Sequence, residues 1–168
     1  HTLLKNNLII ASHNSGKVSE ISELFKSFDI NLLPASKLEL EEPIENGDSF
    51  RENAFIKARA ASKKTGYIAI GDDSGLCVSA LNGDPGIFSA RWAGPDKNFQ
   101  LAIKRVETAL KGKKDNTAHF FCGLALVWPD GHEDYFEGHV NGLIKFPPKG
   151  KNGFGYDPIF YPNGYNIT

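Results

Sequence analysis

Apolar residues recur along this chain in short runs and at helical spacing, and they predict strands that alternate with amphipathic helices. Residues 8–11 form an apolar run that predicts a buried strand, and residues 31–34 predict a second, short one. Between them, apolar residues recur on one helical face and predict a helix. These residues are Val18, Ile21, Leu24, Phe25 and Phe28.

A second helix is indicated by its end signals. Ser49 and Glu52 have the spacing of a capping box, and Gly66 follows two lysines where a helix would end. Residues 67–70 then predict a buried strand, which we expect to open into a glycine-rich turn containing Asp72 and Asp73.

The second half of the chain predicts one more helix and a hairpin. The helix begins near Asp96 and ends at Gly112, and residues 78–81 predict a short strand before it. Residues 119–128 and 133–140 predict two strands joined by a turn. A strand–helix–strand opening followed by an antiparallel pair predicts a mixed α/β sheet.

Length, net charge and cysteine content limit the classes of function that the chain can have. At 168 residues we expect a single domain over 1–168, and the net charge of −1 argues against a broad face for a nucleic-acid polymer. Cys77 and Cys122 lack metal-binding spacing, so we expect two buried free thiols and a cytoplasmic protein. No apolar run is long enough to span a membrane.

The paired acids Asp72 and Asp73 are the first candidate for chemistry. Open α/β sheets bind ligands at strand ends, and two carboxylates there suit a divalent cation or a base that deprotonates water. An isolated Asp-Asp is more often a solvated acidic turn. Here other polar motifs follow the same strand–turn pattern.

The polar loop after the first strand is a candidate anion site. Lys17 begins the next helix, whose N-terminus favours an anion, and Ser12, Asn14 and Ser15 are possible donors. The loop lacks the spacing of a Walker A motif. A solvated N-terminal loop is about as consistent with this segment alone.

Lys57 and the glycine-rich segment near the end are further candidates. Lys57 falls close to the apolar face of the second helix, where an ammonium needs a partner or ligand unless it reaches solvent. Phe154 and Tyr156 offer faces for stacking a base, and Asp157 offers a carboxylate. For that last segment alone, a glycine-rich turn with its aromatic residues anchored in the core is the better explanation.

Taken together, five segments resemble motifs of the inosine triphosphate pyrophosphatase family, also called Ham1-like or XTP/dITP diphosphatases. They occur in the family's order and span about residues 8 to 161. The segments are residues 12–17, 45–54, 72–76, 85–94 and 153–160. The family continues with a Lys and a Ser-His-Arg motif that this sequence lacks, so we expect the native protein to extend beyond Thr168.

The resemblance implies a Mg²⁺-dependent hydrolase. Such enzymes convert ITP, dITP and XTP to the monophosphate and pyrophosphate, which removes deaminated purines from the nucleotide pool. It also implies a homodimer and an α/β fold, in which an elongated mixed β-sheet is flanked by helices and two lobes enclose a nucleotide cleft.

The resemblance also implies roles for single residues. Asp73 matches the family's general base and, with Glu45, would hold Mg²⁺, with Asp72 as a supporting acid. Lys17 and Lys57 would neutralise phosphate charge. The other expected substrate-binding residues are Ser12, His13, Asn14, Ser15, Gly16, Ser74, Phe154, Gly155, Tyr156 and Asp157.

Three other hypotheses remain open from the sequence. A Maf-like nucleotide pyrophosphatase would differ in its base preference. A non-catalytic nucleotide-binding module would bind nucleotide without releasing pyrophosphate. A purely structural domain requires Lys57 and the paired acids to be unrelated surface features, which makes it the weakest hypothesis.

Overall fold

The described part of the chain contains six strands and three α-helices, together with short 3-10 turns. The computed structural model describes residues 7–12, 15–27, 30–38, 40–41, 43–149 and 155–163, with only the backbone described at 15–17, 20 and 24. The strands are β1 Asn7–Ile10, β2 Asn31–Pro34, β3 Ile68–Val78, β4 Thr117–Val127, β5 Glu133–Ile144 and β6 Phe160–Pro162. The helices are α1 Ser15–Leu24, α2 Phe50–Thr65 and α3 Phe99–Leu110.

The strands form one mixed sheet in the order β2-β1-β3-β4-β5-β6. Strand β1 is parallel to both β2 and β3, whereas β5 and β6 are antiparallel. This confirms the predicted α/β class with a mixed sheet and flanking helices. No helix in the described ranges is long and apolar enough to cross a membrane.

The register between β1 and β3 determines how the candidate residues on these two strands are aligned. Ile10 is opposite Ile70, and the Ala11 amide donates to the Ile70 carbonyl at 2.8 Å. Because the two strands are parallel and in this register, Ser12, just beyond the end of β1, is level with Asp72 inside β3.

The ends of helix α2 agree with the sequence signals. Ser49 Oγ accepts the Glu52 amide at 3.1 Å, and the Glu52 carboxylate accepts the Asp48 amide at 3.1 Å. At the other end, Gly66 has φ 72° and donates to the Ser62 carbonyl at 2.8 Å. The first turn therefore leaves few amides unsatisfied, and glycine supplies the left-handed conformation that ends the helix.

Helix α2 crosses β3 at Gly71 with almost no space between their backbones. A Cβ at Gly71 would collide with the Ala54 carbonyl oxygen and lie 2.8 Å from the Ala58 amide nitrogen. Glycine is the residue that permits such a close approach. The contact sets the helix against the strand one residue before the paired acids.

Three predictions of local structure are wrong. The glycine-rich turn after residue 70 does not exist, because β3 continues through Gly71 and both acids to Val78. Residues 79–81 form a short 3-10 turn instead of a strand. Helix α3 begins at Phe99, where Asn98 caps it by accepting the Gln100 amide, and not near Asp96.

The chain separates into two compact units. One contains His1–Asp73 and Gly123–Glu137, and the other contains Ser74–Cys122 and Gly138–Thr168. The first unit packs apolar clusters from β1, α2 and β3, and the second packs a cluster that includes Leu76 and Val106. The predictions of one domain over 1–168 and of a nucleotide cleft stay predictions.

The two cysteines differ in exposure. Cys77 is buried and burial raises its pKa to about 11, whereas Cys122 is exposed on β4. Both are free thiols. The expectation that both would be buried is wrong for Cys122, because its neighbours in sequence are apolar but its own position on β4 lies on an open side of the strand.

Candidate active site

Lys57 is the centre of a charged cluster in the first unit. Helix α2 carries it on the side that faces β3, and its side chain is 14% exposed. Its ammonium nitrogen lies 2.6 Å from Glu45 Oε1. A buried ammonium is stable only with compensating negative charge, so this position requires its acidic neighbours.

The electrostatics of Lys57 show which neighbours compensate it. Burial by itself would lower the pKa of the ammonium. The negative charges of Asp72 and Glu45, the hydrogen bond to Glu45 and the charge of Asp73 outweigh burial and raise the pKa above 10.5. Lys57 is therefore charged at neutral pH and lies within the field of three carboxylates.

The paired acids have different surroundings. Asp72 is 2% exposed, whereas Asp73 is half-buried. Asp73 Oδ2 accepts a hydrogen bond from Asn53 Nδ2 at 3.2 Å. A carboxylate that is fixed by a donor and still reaches solvent can take a proton from a bound water.

Asn53 is a site residue that sequence reasoning missed. It is 3% exposed on α2, one turn before Lys57, and its Oδ1 accepts the Gly47 amide at 2.8 Å. The available signal was an amide side chain four residues before the inward lysine, on the same helix face.

Glu45 reaches the cluster from the segment before α2. This segment is rich in acidic residues, and Glu41 and Ile44 are exposed. Glu45 differs from them, because it is half-buried and paired with Lys57. The structure thus brings together Glu45, Lys57, Asp72 and Asp73, which come from separate segments of the sequence.

The carboxylate oxygens around Lys57 are the kind of ligand atom that Mg²⁺ prefers. Mg²⁺ prefers hard oxygen ligands and is usually held by one or two carboxylates together with substrate phosphates. The described residues contain no group of three or more His, Cys, Asp or Glu arranged to hold a metal by themselves. Glu45 and Asp73 supply carboxylate oxygens of the kind that Mg²⁺ prefers.

A cavity lies beside Lys57. Its volume is about 290 Å³, and its walls are largely apolar with two lysines and one acid. The lining includes Ala11, Leu40, Ile44, Lys57 and Lys64. There is space for a ligand next to the buried ammonium, on the side where β1 ends.

The predicted anion loop is described only in part. Ser12 is 5% exposed directly after β1, and Ser15 is the first residue of α1. The backbone of Gly16 and Lys17 belongs to the first turn of that helix. His13 and Asn14 lie outside the described residues, as do the side chains of residues 15–17.

The C-terminal motif belongs to the second unit. Tyr156 is 2% exposed, its hydroxyl donates to the Ser89 carbonyl at 2.7 Å, and its ring meets Phe99 edge-on at 5.4 Å. This phenol is a core side chain, and burial raises its pKa. Its assignment to the substrate pocket stays a prediction.

The neighbours of Tyr156 in the motif have distinct positions. Gly155 has φ 59°, a conformation that glycine adopts without strain, and Asp157 is exposed at the start of a 3-10 turn. Phe154 lies outside the described residues. Ser74, the first residue of the second unit, is half-buried on β3.

Comparisons with known proteins agree with this arrangement of motifs. A sequence model of the Ham1 family matches residues 8–168. The dITP/XTP pyrophosphatase of Zymomonas mobilis is 51% identical over 161 residues, which cover 94% of this chain and 77% of that protein.

Two solved structures share the fold. A HAM1 protein from Coxiella burnetii superposes with a TM-score of 0.85 at 42% identity, covering 92% of this chain and 81% of that one. A nucleoside-triphosphatase, or dITP/XTP pyrophosphatase, from Mycobacterium abscessus gives a TM-score of 0.83 at 41% identity, covering 96% and 86%.

Proposed function

The chain belongs to the Ham1 family, and on that premise we propose that it hydrolyses non-standard purine nucleoside triphosphates to the monophosphate and pyrophosphate. The expected substrates are ITP, dITP and XTP. The observation that carries the proposal is Lys57, a cation only 14% exposed within the field of Glu45, Asp72 and Asp73. A triphosphate hydrolase needs a cation that neutralises phosphate charge. Close to that cation it also needs carboxylates that orient the attacking water and bind the metal.

The reaction is attack of water on the α-phosphorus. The water oxygen forms a bond to phosphorus, and the bond from phosphorus to the α,β-bridging oxygen breaks with release of pyrophosphate. Asp73 accepts the water proton, because its carboxylate is held at Oδ2 by Asn53 and is half-buried. Lys57 stabilises the charge that develops on the phosphate oxygens.

Glu45 and Asp73 are the proposed ligands of Mg²⁺. The ion, when bound, supplies neutralisation of phosphate charge. Asp72, almost fully buried, keeps the site negative enough to balance Lys57. Because Lys57 Nζ contacts Glu45 at 2.6 Å, phosphate oxygens compete with that carboxylate for the ammonium.

The remaining predicted residues bind substrate in this proposal. Residues of the first loop, Ser12, His13, Asn14, Ser15, Gly16 and Lys17, hold phosphate at the N-terminus of α1. Ser74 donates to a phosphate or to the sugar. Phe154 stacks on the base, and Gly155, Tyr156 and Asp157 complete its pocket.

Base choice follows from hydrogen bonding. A pocket that donates to a 6-oxo group leaves those donors unpaired when a 6-amino base enters, and buried unpaired donors are costly. We therefore expect rejection of ATP relative to ITP.

Assembly and location are also proposed. We expect a homodimer, supported by two large apolar side chains that strand β5 exposes, Phe136 at 58% and Val140 at 50%. We expect a cytoplasmic protein, supported by the two free thiols, which persist in a reducing compartment.

The experiment measures pyrophosphate release from ITP, dITP, XTP, ATP, GTP and dTTP, each with Mg²⁺ and with EDTA. We expect Mg²⁺-dependent turnover that favours ITP, dITP and XTP. Preference for a pyrimidine triphosphate would indicate the Maf-like alternative. Nucleotide binding without pyrophosphate release from any substrate would leave only a binding module and overturn the proposal.

A further inference from the structure

We propose that Asn53 is a positioning residue, whose single amide side chain aligns Asp73 and the Glu45-bearing loop with each other. This inference rests on the proposed function, since it concerns how the same site is held. The amide uses both ends: Nδ2 donates to Asp73 Oδ2 at 3.2 Å, and Oδ1 accepts the Gly47 amide at 2.8 Å.

The residue type at position 53 is informative. Asn53 lies in the first turns of α2 and is 3% exposed, where Ala or Leu would favour the helix and pack without a polar cost. An asparagine amide offers a donor and an acceptor in fixed geometry. A leucine could make neither contact, and an aspartate could accept from Gly47 but could not donate to an ionised Asp73.

The loop side of the contact is equally close. A Cβ at Gly47 would lie 2.8 Å from Asn53 Oδ1 and 2.8 Å from Glu52 Cγ, so the loop backbone packs directly on the amide. Gly47 follows Glu45 by two residues. Holding the Gly47 amide therefore restricts where the Glu45 carboxylate can lie relative to α2.

The two contacts of Asn53 should affect turnover more than substrate binding. Asp73 is on β3, Glu45 is on a loop, and Asn53 is hydrogen-bonded to both segments. Loss of its donor removes a hydrogen bond that orients the Asp73 carboxylate toward the attacking water, and a misplacement of about 1 Å can lower turnover roughly 100-fold. Substrate contacts elsewhere are unchanged, so KM should move little.

A double-mutant cycle tests this role by kinetics. Asn53→Leu should lower kcat about 10- to 100-fold with KM within about threefold. In the Asp73→Asn background the same change should lower kcat by a smaller factor, because only the contact to the Gly47 loop is then left to lose. Equal losses in both backgrounds would overturn the inference, because a general structural defect would act whether or not Asp73 is present.

A second measurement reads the geometry without turnover. Hydrogen exchange at the Gly47 amide, in the protein without nucleotide, should accelerate at least about tenfold in Asn53→Leu and stay within about threefold of wild type in Asn53→Asp. Asn53→Asp should nevertheless lose kcat, since it keeps the acceptor and loses the donor. Full activity in Asn53→Asp, or unchanged exchange in Asn53→Leu, would contradict the proposal.

Ser62→Ala is the matched control. Ser62 is on the same helix, is also 3% exposed, and its Oγ has no hydrogen-bond partner among the described residues. Its removal should change neither kcat nor Gly47 exchange. If wild type releases no pyrophosphate from any triphosphate, the proposed function fails, and the exchange measurement still decides the Asn53 contact.

Discussion

The ammonium nitrogen of Lys57 and a carboxylate oxygen of Glu45 lie 2.6 Å apart, although one residue is on α2 and the other on the segment before it. The negative charges of Asp72 and Asp73 on β3 also stabilise the charged form of this ammonium. One buried cation on the helix thus interacts with acidic residues of both the loop and the strand. Changing that cation should affect stability and turnover together.

Lys57→Met should therefore be both unstable and inactive. It removes the charge that compensates the nearly fully buried Asp72, and loss of one partner from a buried ion cluster costs about 3–5 kcal/mol. We expect kcat/KM for ITP to fall at least about 100-fold. Urea unfolding and pyrophosphate release measure the two effects. Lys63→Met, an exposed change on the same helix, is the control, and equal behaviour of both variants would refute the prediction.

Asp73→Asn should lose turnover while the protein stays folded. The amide has nearly the shape of the carboxylate but cannot accept the water proton, and loss of a general base costs about 10²- to 10⁴-fold in kcat. Steady-state kinetics with ITP and circular dichroism measure activity and folding. Asp96→Asn changes an exposed carboxylate and should behave as wild type. Near-normal turnover in Asp73→Asn would require another base.

Gly71→Ala should separate α2 from β3. The added methyl group would collide with backbone atoms of Ala54 and Ala58, which cannot rotate away as a side chain does. Overpacking costs about 1–3 kcal/mol, and the shift of the helix should lower activity as well.

Gly138→Ala is the control for this change. Gly138 is on β5, and a Cβ there would have no neighbour within 4 Å, so stability should stay nearly unchanged. Unfolding in urea compares the two variants. Wild-type stability in Gly71→Ala would show that the close approach is not a constraint.

The Arg59–Glu133 pair should make a small contribution to stability that depends on pH. Arg59 donates to both carboxylate oxygens of Glu133, at 2.6 and 2.8 Å, and these hydrogen bonds hold the pKa of Glu133 below its usual 4.5. A lowered folded-state pKa means that the stabilisation is present above pH 4.5 and disappears as the pH falls through the lowered value.

Arg59→Met measures that contribution. Arg59 is 54% exposed, so solvent screening keeps the expected loss at pH 7 to about 0.2–1 kcal/mol, and less at pH 3. Guanidinium unfolding at both pH values, with Lys63→Met as control, gives the difference. A loss that is the same or larger at pH 3 would contradict the assigned pair.

Tyr156→Phe should separate a structural role from a binding role. The hydroxyl donates to the Ser89 carbonyl, and its removal leaves that buried acceptor without this donor at a cost of about 1–2 kcal/mol. We expect lower stability with KM for ITP unchanged. Tyr67→Phe, at an exposed tyrosine, is the control. A raised KM with normal stability would instead support the predicted place of Tyr156 in the base pocket.

The fold was largely predictable because its signals are local. Ser49, Glu52 and Gly66 indicate where α2 begins and ends, and the apolar runs indicate where β1 and β2 lie. The extent of β3 was not predictable in this way. Gly71 and the two acids have low strand propensity, and they remain in the strand because α2 packs on Gly71 and Lys57 compensates the acids.

The site was predictable in its charges and less so in its supporting contacts. Lys57 was identified as an inward lysine that needs a partner, and the structure supplies Glu45. Asn53 was missed because its importance depends on a loop and a strand that are distant in sequence, at Gly47 and Asp73. A single sequence shows that a residue faces inward, but it does not show what lies opposite.

The crossing of α2 over β3 at Gly71 also limits how this chemistry can be moved to another protein. Asn53 and Lys57 lie one helical turn apart. Asn53 bonds to Asp73 and Lys57 lies in the field of the adjacent Asp72, where the two backbones nearly touch at that glycine. A designer who grafts the side chains onto a helix and strand at ordinary spacing would obtain the right residues out of reach of each other. The transferable unit is the crossing itself, with glycine included.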